Sequence, residues 1–272
     1  MNPQSQQNLK QAVKKSILLA TSKVPVSILR TITKFANLSL GKGFGATTLK
    51  VEVSTVANFT REMNVEVENV FDVGANIGLY SGELRNQFPN AKITAFEPSQ
   101  FAAKEYRGRF QEDSNVHLIQ VAVGNVEGKA TLYYDFEASG MASMSNRKLD
   151  HFGIEFKKSE EINVITLDSF SRDQGLIPDF LKIDVEGHEL EVLNGAKEIL
   201  NKIKLIQFEF GGCNIDTRTF FQDFYYLFKE AQFELFRITP NGLLRISRYS
   251  EDDEHFGTTN YLAANSRFCS LT

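Results

Sequence analysis

Ile183-Asp184-Val185-Glu186-Gly187-His188-Glu189 packs three carboxylates and an imidazole into seven residues. Groups of this kind cannot all be buried without partners, so they must face a cleft, a cation or one another. Three chemistries suit them: a general base for a hydroxyl, a clamp on a positively charged methyl donor, or a divalent metal site completed from elsewhere. Alternation along an extended segment puts Asp184 and Glu186 on one side together with Lys182. Gly187 then turns the chain so that His188 and Glu189 open a helix, where Glu189 also suits the helix dipole alone.

Asp72-Val73-Gly74-Ala75-Asn76-Ile77-Gly78 is a second candidate. Its glycines let the backbone approach a ligand without Cβ interference, and a helix start offers unpaired N–H groups. A dinucleotide site favours G-x-G-x-x-G. Here Gly74 and Gly78 stand four apart with Asn76 between them, and Asp72 would compete with a pyrophosphate, so a ligand with a cationic amino group suits the turn better. Glu97 stands 25 residues after Asp72, at a strand end stopped by Pro98. A carboxylate there accepts both hydroxyl hydrogens of a ribose. Together the two features imply an adenosine-containing ligand across the first two strand ends. Glu209 ends a later strand on the same edge, before Gly211 and Gly212, and Cys213 reads as an ordinary thiol with no activating base.

The elements that must position these residues alternate. Val70–Val73, Lys92–Phe96, Val116–Val123, Asp179–Asp184 and Lys204–Phe210 read as strands. Leu79–Phe88, residues 101–111, Leu190–Leu200 and residues 218–230 read as the helices between them, with Gln232–Ile238 and Thr259–Ala263 as closing strands. Such alternation demands right-handed crossovers and a mostly parallel sheet covered on both faces, a doubly wound α/β domain. Residues 125–170 break the rhythm with two further strands, Lys129–Tyr134 and Glu161–Leu167. The loop from Ala138 to Ser145 between them, with Gly140, Ser143 and Ser145, is expected to act as a lid.

Of 272 residues, 42% are hydrophobic, enough for a sizeable core, and two cysteines exclude a disulfide framework. The formal net charge of −4 is unevenly spread. Residues 1–50 hold eight Lys/Arg and no Asp or Glu, leaving 22 basic and 34 acidic side chains over the remaining 222, a balance of −12. A body this acidic repels nucleic acid. The organisation expected is therefore a basic amphipathic arm over 1–50 and a catalytic domain over 51–272. In the arm, Val13, Ile17 and Leu18, and after Pro25 the set Leu29, Ile32, Phe35 and Ala36, recur at helical spacing, with Pro25 dividing two short helices. Such helices either cap the globular body or lie through residues 10–38 on an anionic membrane surface. The chain shows no secretory signal pattern, and a cytoplasmic location is expected.

Taken together, Asp72–Gly78, Phe96-Glu97-Pro98, Ala122-Val123-Gly124, Leu167-Asp168 and Ile183–Glu189 resemble the FkbM family of S-adenosylmethionine-dependent methyltransferases. The likeness covers roughly residues 68–212, with a looser tail to about 263, and leaves the arm out. It implies a Rossmann-like sheet of seven strands, the last antiparallel, and methyl transfer from S-adenosylmethionine to a hydroxyl of a sugar, polyketide or other small metabolite. Carried over, Asp72, Gly74, Asn76 and Gly78 would hold the methionine end of the donor and Glu97 its ribose. The turn from Val121 through Val123 to Gly124 would border the adenine. Asp184 and Glu186 would sit nearest the sulfonium and the acceptor. The base would be Asp184, whose strand-end position is best defined, or else Glu186 or His188. The competing expectations are a nicotinamide-dependent oxidoreductase and a catalytically silent domain docked through its arm.

Overall fold

The structure, a computed structural model, describes residues 24–269 together with Gln11, Val13 and Lys14. Helices α1 (Val26–Ser39) and α2 (Leu49–Glu62) precede the first strand, and Gln11, Val13 and Lys14 are helical as well. Strands β1 (Asn69–Val73), β2 (Lys92–Phe96) and β3 (Val116–Ile119) come next, then β4 (Ala122–Val123), β5 (Gly128–Tyr134) and β6 (Lys158–Ile165). They are followed by β7 (Phe180–Ile183), β8 (Leu205–Phe210), β9 (Phe233–Thr239), β10 (Gly242–Ile246) and β11 (Thr259–Asn265). The connecting helices are α3 (Leu79–Gln87), α4 (Gln100–Arg109), α5 (Leu167–Gln174), α6 (Glu189–Asn194), α7 (Cys213–Thr217) and α8 (Phe221–Glu230).

The main sheet runs β10-β9-β11-β8-β7-β1-β2-β3. Neighbours from β8 to β3 pair in parallel, whereas β11 is antiparallel to both β8 and β9. Every residue of β7 is buried, as is all of β1 after Asn69, because helices cover both sheet faces. The chain leaves β1 toward β2 and β3 on one side and returns to β7 on the other. The crevice for ligands in an open α/β sheet lies at such a reversal.

Seven of these strands match the expected doubly wound sheet with its antiparallel closing strand. The eighth, β10, is an addition: it folds back on β9 through Pro240-Asn241 and pairs antiparallel with it. The single strand expected over Val116–Val123 divides in two, β3 in the main sheet and β4 in a second sheet ordered β4-β6-β5. The Val121 N–H donates to the Ile119 carbonyl (3.0 Å), and that tight turn carries the chain between sheets. The second sheet is the expected excursion. Its last strand ends at Ile165, and Leu167 opens α5, whose cap Thr166 accepts from the Ser169 N–H (3.1 Å). The helix expected over Leu190–Leu200 stops at Asn194 and gives way to turns. In α8, Phe221, Phe224 and Phe228 are buried, with the Phe208 ring stacked on Phe224 at 4.9 Å.

The charge boundary at residue 50 falls inside α2, one residue past its start. This helix belongs to the body: Val53, Val56, Ala57 and Phe59 are buried, and it packs against α3. Residues 40–45 are likewise fastened to the sheet edge, where the Gly43 N–H donates to Thr259 Oγ1 (3.0 Å) and the Gly45 N–H to the Thr258 carbonyl (3.2 Å). Helix α1 begins directly after Pro25, as expected, and buries none of its residues. Ile17 and Leu18, on which the first arm helix was expected, lie outside the described residues. Among the described residues no helix is long and apolar enough to cross a membrane.

Candidate active site

A cavity of about 450 Å³ opens where β1, β2, β7 and β8 end, within the ~300–1,000 Å³ of small-molecule sites. Its lining takes in Val73 to Ile77 after β1, Phe96 to Pro98 at the end of β2, Val121 to Val123, Asp184 to Glu186 after β7, and Glu209 on β8. Of the expected residues, Gly74, Asn76, Glu97, Val123, Asp184 and Glu186 meet there. Asp72, Gly78 and His188 do not line it.

The turn after β1 is built for close approach. Gly74 has φ +80°, and a Cβ on it would sit 1.7 Å from the Asp184 carbonyl, so this position must be glycine for β1 and β7 to end side by side. Gly78 (φ +83°) works behind the cavity, where a Cβ would strike the Tyr106 and Phe110 rings. Asn76 (φ +46°) and Glu186 (φ +53°) are both left-handed, a conformation Asn tolerates and Glu adopts only when its surroundings enforce it.

Glu97 is tied from both sides. The Asn76 N–H donates to one carboxylate oxygen and the Ser99 N–H to the other, each at 2.8 Å. Burial pushes its pKa up to about 7, against the pull of those two backbone donors. Asp72 is wholly buried beneath the cavity floor: Ser81 Oγ donates to Oδ2 (2.6 Å), and Lys182 Nζ stands 3.8 Å from Oδ1, which has no hydrogen bond. Asp72, expected to touch the ligand, lies instead behind its register partner Lys182, which lines the cavity while Asp72 does not. Lys182 links it to the site, since its ammonium also reaches Asp184 Oδ2 at 3.1 Å. Burial opposes the charge on Lys182, but Asp184, Asp72 and Glu52 together hold its pKa above the ordinary value.

The carboxylates of the Asp184–Glu189 segment take separate partners. Glu186 pairs with Arg147 Nη1, whose Nε also reaches Asp216 Oδ2 (3.1 Å). Glu189 turns inward and closes its own loop, accepting from the Val185 and Gly187 N–H groups at 3.0 and 3.1 Å. His188 points to the second sheet's loop, with Nε2 3.1 Å from Ser145 Oγ and Nδ1 3.0 Å from Glu191 Oε2. Asp184, Glu186 and Glu209 bring carboxylate oxygens within 4.8 Å of one another, a spacing at which they can share a cation. Among the described residues Glu209 has no hydrogen-bond partner in this cluster; burial, and then Asp184 and Glu186, push its pKa well up.

Sequence reasoning missed Glu52, Arg147 and Asn260. Glu52 enters the cavity from α2 and accepts from Gln207 Nε2 and from Asn260 Nδ2 (2.7 Å); burial raises its pKa to about 7. Nothing marks it in sequence, since it lies in the stretch assigned to the arm by charge. The loop Ala138–Ser145 does cover the cavity, and it is fastened at both motifs. Asn76 Nδ2 donates to the Ser139 carbonyl (3.2 Å) and Ser143 Oγ to the Glu186 carbonyl (2.9 Å).

Known proteins resemble this chain over its central part. The family model described as the Methyltransferase FkbM domain matches residues 72–235. The methyltransferase sdnD of Sordaria araneosa is 31% identical over 156 residues, covering 47% of this chain and 60% of that protein. The 2-O-methyltransferase NoeI of Sinorhizobium fredii is 24% identical over 151 residues, covering 52% and 62%. The chain therefore spans about three-fifths of the length of these relatives. A methyltransferase FkbM from Methylobacillus flagellatus, known from a crystal structure, aligns with a TM-score of 0.43 and 16% identity over 87% of this chain and 60% of its own. The methyl donor that goes with this family is S-adenosylmethionine, and the cavity's groups fit it: a buried carboxylate suited to ribose hydroxyls, apolar walls at Phe96, Val121 and Val123, and an anionic floor for a sulfonium. With its family model matched over residues 72–235, more than half of its length, and a cavity at the ends of β1 and β2, the chain belongs to the FkbM methyltransferase family.

Proposed function

We propose that the protein transfers the methyl group to a hydroxyl oxygen of a small metabolite. One observation carries this reading: Glu209, a half-buried carboxylate with no hydrogen-bond partner among the described residues, opens into the same cavity as Glu97 and Asp184. Bound donor supplies an electrophilic methyl on a sulfonium. Glu97 would take the ribose hydroxyls, the backbone of Gly74 to Asn76 would receive the methionine end, and Val123 would border the adenine. Asp184 and Glu186 set the negative field in which the sulfonium sits, each steadied by its own cation, Lys182 and Arg147. Both carboxylates are thus already paired, and His188 is engaged outside the cavity. Glu209 is left to take the proton as the acceptor oxygen attacks, an assistance worth about 10²–10⁴ in rate. Alignment of oxygen and methyl in a dry, covered cavity supplies much of the rest. The relative named a 2-O-methyltransferase supports oxygen as the nucleophile.

The test is incubation of the protein with methyl-labelled S-adenosylmethionine and a metabolite extract, followed by mass spectrometry. A labelled product whose methyl resists mild base and sits on an ether oxygen supports the proposal. A label on nitrogen or carbon overturns the oxygen assignment. Donor binding without any labelled product in broad extracts favours the catalytically silent reading.

A further inference from the structure

Helix α1 turns one apolar stripe away from the rest of the molecule. On a 3.6-residue period Ile28, Ile32 and Phe35 share one face, and Arg30, Lys34 and Asn37 share the opposite one. That opposite side, where Val26, Leu29 and Leu38 flank the polar residues, lines a groove shared with Lys42 and His255. The apolar face is open, with Ile28, Ile32 and Phe35 exposed by 50, 57 and 73%. A helix that merely capped the body would be rotated the other way, burying these three. Instead the segment after it, residues 40–45, is anchored to the sheet edge and presents the helix with its apolar stripe outward.

We propose that this face lies on an anionic lipid surface. Apolar residues along one side with Lys and Arg along the other is the arrangement of a helix that rests in the plane of a bilayer. Charge selects the occupant. Residues 1–50 carry eight Lys/Arg and no acid, against a balance of −12 over the rest, so anionic headgroups attract the arm and repel the body. That polarity orients the molecule with α1 toward the lipid. A second copy docking face to face would bring two such arms together, and the same charges oppose it.

The experiment is flotation of the full chain with vesicles of phosphatidylcholine alone or mixed with phosphatidylglycerol. The protein is expected to float with the mixed vesicles and not with phosphatidylcholine alone, and to be released as salt is raised. Ile32→Glu with Phe35→Glu should weaken that binding at least tenfold, with an unchanged thermal unfolding curve because both side chains are exposed. Phe152→Glu, an equally exposed aromatic elsewhere, should leave binding intact. The proposal is overturned if the wild-type chain stays with the soluble fraction, or if the double variant floats as well as wild type. It is also overturned if sedimentation velocity shows a dimer that the double variant dissociates, which would make a second copy the occupant. None of these outcomes depends on methyl transfer.

Discussion

Glu97 shows how one side chain can couple ligand binding to protons. Its two backbone donors fix the carboxylate in the cavity wall, while burial lifts its pKa to about 7. In the proposed ribose role, the hydroxyls donate to the ionised form, so donor binding would expel the proton that Glu97 holds below that pH. Donor affinity should therefore rise between pH 6 and 8, by up to about tenfold per unit on the acid side, and titration calorimetry in buffers of different ionisation enthalpy should register proton release. Glu97→Gln removes the charge and sets an NH2 group against a backbone N–H; at about 1.5–3 kcal/mol for a charged hydrogen bond, affinity for S-adenosylhomocysteine should fall roughly tenfold to a hundredfold. An unchanged affinity would contradict the ribose assignment. Glu209→Gln should divide differently: turnover down about a hundredfold or more, donor affinity unaltered. Equal losses in both would mean that Glu209 holds the donor and not the proton.

At the level of elements, the parts written in local pattern were legible and the parts decided by distant packing were not. Strand β2 was bounded to the residue by its own alternation and by Pro98. The turn Asp72–Gly78 and the cluster after β7 declared themselves through glycine spacing and charge density. Helix α2 did not, because Lys50 and Glu52 interrupt a run whose apolar side is defined by distant partners, α3 and residues of β9 and β11 such as Phe236 and Leu262. Strand β10 was missed although Asn241-Gly242 marks a turn, since too little chain remained before β11 to demand another strand. Arg147 was invisible for a related reason: nothing around it in sequence says that its guanidinium reaches back to Glu186 and across to Asp216. It is the rivet between lid and strand end, 5% exposed at the side chain. Arg147→Met leaves two carboxylates facing one another without their cation. Both keep some solvent contact, so the expected cost is about 2 kcal/mol, less than for a fully buried pair. Chemical denaturation would measure that cost. Faster proteolytic nicking within 138–147 would show that the lid has been released, and an unchanged nicking rate would mean that Ser139 and Ser143 suffice to hold it.

For the whole molecule, the change in charge at residue 50 and the edge of the folded unit are different boundaries. Gly45, Leu49 and Glu52 line the cavity, and α2 carries part of the core, so the folded body begins near residue 40. Two truncations separate these boundaries. Removing residues 1–39 takes away α1, none of whose residues is fully buried, and most of the arm's charge. That variant should unfold within a few degrees of the full chain and bind S-adenosylhomocysteine as tightly, while losing affinity for anionic vesicles. Removing residues 1–55 also deletes Glu52 and Val53, strands Gln207 and Asn260 without their acceptor, and leaves Val56 and Phe59 on a helix too short to hold. At about 1.5–3 kcal/mol for each buried side chain lost, the deficit rivals the ~5–15 kcal/mol that keeps a domain folded. The longer truncation should therefore fail to give a cooperative thermal transition. Calorimetry on both variants decides the matter: a cooperative, donor-binding protein that begins at residue 56 would place α2 outside the folded unit and return the boundary to the one that charge alone suggests.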